Sequence, residues 1–308
     1  MAEYPMTFSE FTTRFATEEQ CREYLYGLRW KDGFACPKCG HGKSWARKDA
    51  LYECAGCGHK ASVVAGTAFQ GTQKPLKDWF TAIWWVCTQK NGASALGLQR
   101  VLGLKSYQTA WVWLHKIRGA MVRANRSRLS GRVEVDEAYL GGEDIGGAHG
   151  RGAGKKTLVA AAVEVKGRSV GRARLCVVDD ASGASLGAFV KDNVEVGSTL
   201  VTDAWRGYSG IEEMGCAREI RNQSREGGLL PHVHTVVSLL KRWLLGTHQG
   251  AVKEKHLQAY LDEYTFRFNR RKSAKRGLLF YRLLENAMQV TPATYAKLVG
   301  ASEPQENG

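Results

Sequence analysis

What this 308-residue sequence lacks narrows it first. No apolar run approaches the roughly 18 residues a membrane helix requires, and the most apolar window, FTAIWWVC at residues 80–87, is far shorter. A membrane protein is therefore not expected. No basic-then-apolar leader ends in a small-residue cleavage site, so export is not expected either. The expected compartment is a reducing cytoplasm, where cysteines serve as metal ligands or buried thiols more often than as disulfides. Internal repeats and low-complexity tracts are absent, which sets aside repeat architectures. Acid is also scarce: 30 Asp and Glu face 44 Lys and Arg, a formal charge of +14. The cations gather in RGAGKK (151–156), in LLKRW (239–243) and in RFNRRKSAKR (267–276). Such surfaces attract polyanions through counterion release, so nucleic acid is the expected partner.

Composition divides what is present into five stretches. Residues 1–30 read as amphipathic helix without visible chemistry, and 31–70 contain a Gly-rich, cysteine-punctuated segment. Residues 71–125 have apolar residues at helical spacing. From 130 the character changes to short β-rich runs, VEVDEAYL, TLVAAAVEV, ARLCVVDD and STLVTDAW, before helix returns from 230 to 290. Residues 291–308 read as a polar tail.

The second stretch holds CPKC at 36–39 and CAGC at 54–57. Two such knuckles supply four thiolates, Cys36, Cys39, Cys54 and Cys57, enough to close a tetrahedral structural zinc site. Gly40 and Gly58 follow them and suit the tight turn. A segment this short has little core of its own, so the metal would be its main staple. His41 and His59 are surplus to a four-thiolate site. Cys21, Cys87, Cys176 and Cys216 lack ligand spacing and read as buried small hydrophobes.

Residues 91–121 have the rhythm of a helix-turn-helix. Ala95, Leu98, Leu102 and Leu104 form one apolar set, Gly103 marks the turn, and Ala110, Trp111, Leu114 and Ile117 form the next. Ser106 could cap the second helix, whose exposed face would offer Gln108, Lys116 and Arg118 to DNA. An ordinary helical hairpin has the same spacing.

Two aspartates end apolar runs: Asp136 in VEVDEAYLGG and Asp203 in LVTDAWRGY. The order is three consecutive strands, a helix, a fourth strand and then helices. It suits a mixed α/β sheet in which the first and fourth strands lie side by side and bring these carboxylates together. Paired carboxylates in a basic protein invite two divalent cations for in-line phosphodiester chemistry. Asp179 and Asp180 also end a strand but read better as helix caps. Glu134 shares the face of Asp136 and Glu137 lies on the other, so either could be mistaken for the ligand.

These motifs, with AGTAFQGTQKPLKDWFTAI (65–83) and SLLKRWLLGTHQGAVKEKHLQAYLDEYTFRFNRR (238–271), resemble the bacterial insertion-sequence transposases. Members join an N-terminal zinc ribbon to a DDE-type, ISXO2-like catalytic domain of RNase H-like fold. The resemblance implies an N-terminal helical segment (1–30), a zinc ribbon (31–70), a helix-turn-helix-like module (71–125), an RNase H-like catalytic domain (130–290) and a tail (291–308). It implies a nucleoid-associated enzyme that cleaves and transfers DNA strands at element ends with Mg or Mn, acting as a homo-oligomer on DNA. The competing expectation is an inactive, DNA-binding derivative.

Asp136 matches the family's first acid and Asp203 its second. The third metal-site residue, often Glu or Asn, stands seven positions before a Lys in a helix ending SLLKR. That Lys is Lys241, and the position seven before it is His234. Seven residues are two helical turns, so both share a face. Imidazole could bind the second metal, position a water or protonate the leaving oxygen, or mark a lost site. Lys241 would approach a phosphate. Val233, Val237, Leu240 and Leu244 are expected to form the helix's buried stripe. His232, about 200° around the helix from His234, reads as a helix-start residue after Pro231.

Overall fold

A computed structural model describes residues 4–123, 125–141, 156–221, 230–250 and 252–299. Much of the RGAGKK cluster and the tail sequence ASEPQENG lie outside them. In chain order the elements begin with α1 (Phe8–Arg14), α2 (Glu18–Arg29), β1 (Ser44–Ala46), β2 (Tyr52–Cys54), β3 (Lys60–Ala61), α3 (Leu76–Thr88), α4 (Ala95–Leu102) and α5 (Tyr107–Gly119). There follow β4 (Arg132–Leu140), β5 (Thr157–Lys166), β6 (Ser169–Val177), α6 (Gly183–Asn193), β7 (Thr199–Thr202), β8 (Ala217–Ile220), α7 (Pro231–His248) and α8 (Glu254–Phe268). Last come α9 (Arg276–Ala287) and α10 (Tyr295–Val299), the latter inside the stretch read as tail. Among the described residues no helix is long and apolar enough to cross a membrane.

The chain divides into two compact units, one drawn from 1–123 and 273–308 and the other from 124–272. In the first, α2 opens with a capping box from Thr17 and Gln20. Its core is aromatic: Phe280 of α9 meets Phe11, Phe15, Phe80 and Trp84 at ring-centroid distances of 5.4, 5.6, 5.7 and 5.6 Å. Helix α9, expected within the catalytic stretch 130–290, belongs to this unit. Two observations explain its place. The Ala287 carbonyl accepts the Ala68 amide at 2.9 Å, and a Cβ at Gly277 would fall 1.6 Å from the Pro5 carbonyl oxygen, a contact that glycine alone permits.

The second unit is a five-stranded mixed sheet, ordered β6-β5-β4-β7-β8. Strands β4, β5 and β6 are antiparallel, while β7 runs parallel to both β4 and β8. The expected neighbouring of first and fourth strands is therefore present, as β4 beside β7. Helix α6 covers one face over Val133, Val135, Ala160, Ala162 and Leu200. On the other face, α7 and α8 pack on Leu140, Val159, Ala161 and Val163. Buried on both faces, β5 reads as an almost unbroken apolar run. β8, with the sequence AREI, went unforeseen because a short, half-exposed edge strand carries no apolar alternation.

Candidate active site and zinc ribbon

The ribbon is built from two knuckles that close on each other. Strands β1, β2 and β3 form a small antiparallel sheet. Gly40 and Gly58, at φ 74° and 68°, turn the chain so that their amides return to the carbonyls of Cys36 and Cys54 at 2.9 and 3.0 Å. The sulfurs of Cys36 and Cys57 lie 3.7 Å apart, and those of Cys39 and Cys54 3.6 Å. A tetrahedral ion with metal–sulfur bonds of about 2.3 Å has sulfur–sulfur edges of about 3.8 Å, so the geometry fits zinc. These four cysteines alone, among the described residues, bring three or more His, Cys, Asp or Glu donors within 4.8 Å. His41 and His59 stand outside the set. Cys21, Cys87 and Cys216 are buried, and burial pushes the Cys21 thiol up to about 12.

The helical pair forms as the spacing suggests, with differences in its face. Ser94 caps α4 by accepting the Gly97 amide, and Gly103 ends it at φ 61°. Ser106 stands at the N-cap of α5 without capping it: its hydroxyl bonds the Gln108 side chain at 2.7 Å. Gln108 is exposed and Lys116 half-buried. Arg118, expected on the exposed face, is buried, so that expectation is corrected. Trp113, rather than Trp111, takes the buried aromatic position, stacked on Trp79 at 3.9 Å. Its spacing after Ala110 puts it one turn on, on the face that meets α3.

The acidic site rests on the parallel pairing of β4 with β7. Glu134 lies opposite Val201 as the last pair of the register, with Asp136 two residues further along β4 and Asp203 just past the end of β7. Asp136 accepts the Glu137 amide on Oδ1 at 2.9 Å, and Oδ2 lies 3.0 Å from Nε2 of His234. Burial, reinforced by the Glu137 carboxylate, pushes the Asp136 carboxyl up to about 6. Asp203, one residue past β7, accepts the Trp205 amide at 2.9 Å, and its carbonyl takes a bond from Arg218 at 3.1 Å. Tyr208 is fully buried and donates its hydroxyl to Glu137 at 2.8 Å, on the opposite sheet face from Asp136. Burial first, and then the negative charges of Glu137, Asp136 and Asp203, hold its phenol well above the ordinary range.

Helix α7 carries the remaining candidates. Its buried residues are Val233, Val236, Leu240 and Leu244. Val236 thus takes the place expected for Val237, which is only partly buried against the same cluster. His234 and Lys241 are both exposed. Lys241 borders a cleft of about 720 Å³ with Tyr139, Leu140, Leu244 and Leu245. A second cleft, of about 900 Å³, shares Tyr139 and is lined further by Ser182, Trp205 and Arg206. His232 is more than a helix-start residue. It binds Glu134, so both histidines reach carboxylates on one face of β4. Glu134, His232, Glu137 and Tyr208 are the supporting residues whose partners sequence spacing did not reveal. Pro231 and the period-two step from Glu134 to Asp136 were the available signals.

Residues 128–269 match the ISXO2-like transposase domain, and residues 16–60 match the transposase zinc-ribbon domain. A curated relative, an uncharacterized protein in transposable element ISH50 of Halobacterium salinarum, is 25% identical over 275 residues, covering 82% of this chain and 91% of its own. In order along the chain, one segment thus matches a transposase zinc ribbon and the next an ISXO2-like transposase domain, the arrangement of the insertion-sequence transposases it resembles.

Proposed function

We propose that the chain is an active DNA transposase that cleaves DNA at insertion-sequence ends and joins the freed strands to a target. The observation that supports this best is the parallel pairing of β4, which carries Asp136, with β7, which ends one residue before Asp203, together with the hydrogen bond from His234 to Asp136. Two carboxylates and an imidazole are mostly oxygen donors of the kind that suits Mg or Mn, although Asp136, Asp203 and His234 do not gather their donor atoms within 4.8 Å without metal. Divalent metal bound there would lower the barrier to in-line attack at phosphorus by stabilising the attacking and leaving oxygens.

Each residue then has a task. Asp136 and Asp203 would hold the metals as carboxylates. His234 completes the donor set beside Asp136. Lys241, two turns along the same helix, contacts a DNA phosphate and orients the strand. The four ribbon cysteines hold structural zinc and keep the ribbon folded. On DNA the protein acts as a homo-oligomer, because joining two ends to one target needs two such sites.

Purified protein with cognate ends and Mg or Mn should nick and join DNA. Asp136→Asn and Asp203→Asn should each abolish joining while leaving end binding intact. Absence of nicking and joining by the unaltered protein would leave only a DNA-binding derivative. At position 234, a ligand role predicts that His234→Ala is inactive and that His234→Glu retains activity with an altered metal preference. Activity surviving His234→Ala would remove the residue from the reaction.

A further inference from the structure

Glu134 lies two residues before Asp136 on β4, so the pleat directs both carboxylates to the face covered by α7. Its side chain is 7% exposed. The first turn of α7 accounts for both of its oxygens. Pro231, at the first helical position, has no N–H to place. The next two amides, of His232 and Val233, both donate to Glu134 Oε2, at 2.8 and 2.9 Å. The amide of His234 is the first to bond back within the helix, to the Leu230 carbonyl at 3.0 Å. Glu134 Oε1 lies 2.6 Å from Nδ1 of His232. Leu230, at the N-cap, offers no side-chain acceptor of its own. A strand residue therefore does the work an N-cap side chain usually does, and its charge faces the positive end of the helix dipole.

We infer that Glu134 is a positioning residue of the site and not a metal ligand. It docks the first turn of α7 onto β4 and so fixes the approach of His234 to Asp136. His234 follows directly after the two amides that Glu134 holds, and its ring meets the carboxylate two residues further along the same strand face. A loosened first turn would move that ring relative to Asp136. Misplacements of about 1 Å cost catalysis up to roughly a hundredfold. This inference rests on the roles proposed above for Asp136 and His234.

The test uses the full-length zinc-loaded chain, with Mn²⁺ as the probe metal. In E134Q the amide oxygen can still accept both backbone N–H groups, and the NH2 can donate to His232 Nδ1 once the ring proton sits on Nε2. E134Q should therefore keep strand transfer within a few-fold, keep Mn²⁺ affinity, and leave the His234 imidazole NMR resonances near their original positions. E134A should shift those resonances and lower kcat roughly 10- to 100-fold at saturating DNA, with end binding retained. Should E134A fail to fold, E134D, one methylene short, should show the same resonance shift to a smaller degree. Loss of Mn²⁺ affinity in E134Q comparable to that in D136N would make Glu134 a ligand and overturn the inference. So would unmoved His234 resonances in E134A. The resonances are read without DNA or turnover. A chain unable to join strands would thus defeat the transposase reading and leave this test standing.

Discussion

The surroundings of Asp136 disfavour the ionised form that its proposed task needs. Burial, and then the Glu137 charge, raise its carboxyl from 3.8 to about 6. A raised acid binds its proton more tightly in the folded state than in the unfolded state. Its favourable contribution is therefore complete below the unfolded value, declines as pH rises towards about 6, and becomes a constant cost above that. A shift of this size corresponds to no more than about 3 kcal/mol. In protein loaded with zinc but free of other metals, Asp136→Asn should be stabilising by on the order of 1–3 kcal/mol near pH 7.5, and by less near pH 5. Urea denaturation at both pH values measures this. Added Mn²⁺ should narrow the gap at the higher pH by stabilising only the unaltered chain. No gain at either pH would mean that Asp136 is not strained. Tyr208 offers a second test. Its hydroxyl bonds the Glu137 carboxylate from a fully buried position, so Tyr208→Phe should cost about 1.5–3 kcal/mol. That change should lower the urea midpoint with the m-value unaltered.

At the scale of elements, order in the sequence disclosed more than local pattern did. Three strands, a helix and a fourth strand were enough to place β4 beside β7, because a crossover through α6 returns β7 parallel to the sheet. The two matched knuckles likewise disclosed the ribbon, since only four thiolates at that spacing can share one ion. What stayed hidden depended on tertiary partners. β8 is held by pairing with β7 and not by apolar alternation. The choice of Val236 over Val237 depends on how α7 rolls on the sheet, which helical spacing leaves free by one position. Glu134 could be read as a second ligand until its oxygens were seen to be occupied by α7. The ribbon carries its own prediction. Tyr26, Trp30, Phe34 and Tyr52 pack together at 4.6–5.7 Å, and the Trp30 indole donates to the Ala35 carbonyl at 3.0 Å beside the first knuckle. Structural zinc contributes on the order of 10 kcal/mol or more to the fold of small zinc-finger peptides. A strong zinc chelator should therefore collapse the near-UV circular dichroism of this cluster. The far-UV signal of the five-stranded sheet, which has cores of its own, should persist. An unchanged near-UV spectrum after zinc loss would show that the ribbon holds without metal.

Across the whole molecule the charge of +14 sets an expectation for DNA binding, but not every cation faces outward. Within the basic run at 267–276, Arg271 lies over the Phe268 ring at 4.0 Å and donates to the carbonyls of Val170 and Gly171. Arg270 lies over the Phe266 ring at 4.1 Å and donates to the Phe266 carbonyl at 3.0 Å. The Arg271 guanidinium ties the turn after α8 to the sheet edge at β6, while that of Arg270 folds back on α8. Lys241, exposed as Arg271 is, differs in standing at the rim of the cleft shared with Tyr139. The two kinds of cation should separate in a salt titration. Each phosphate contact contributes about −0.9 to the slope of log K against log salt on B-DNA. Lys241→Ala should reduce the magnitude of that slope by about 1 and weaken binding across DNA sequences, with urea stability near that of the unaltered chain. Arg271→Ala should leave the slope unchanged and lower stability by about 1 kcal/mol, through lost packing on the Phe268 ring and lost solvent-accessible hydrogen bonds. Fluorescence anisotropy at several salt concentrations, paired with urea melts of both variants, reads the two effects independently. If Arg271→Ala flattened the salt slope as much as Lys241→Ala does, the basic run would be a DNA contact after all, and its bonds to Val170 and Gly171 would not persist on DNA.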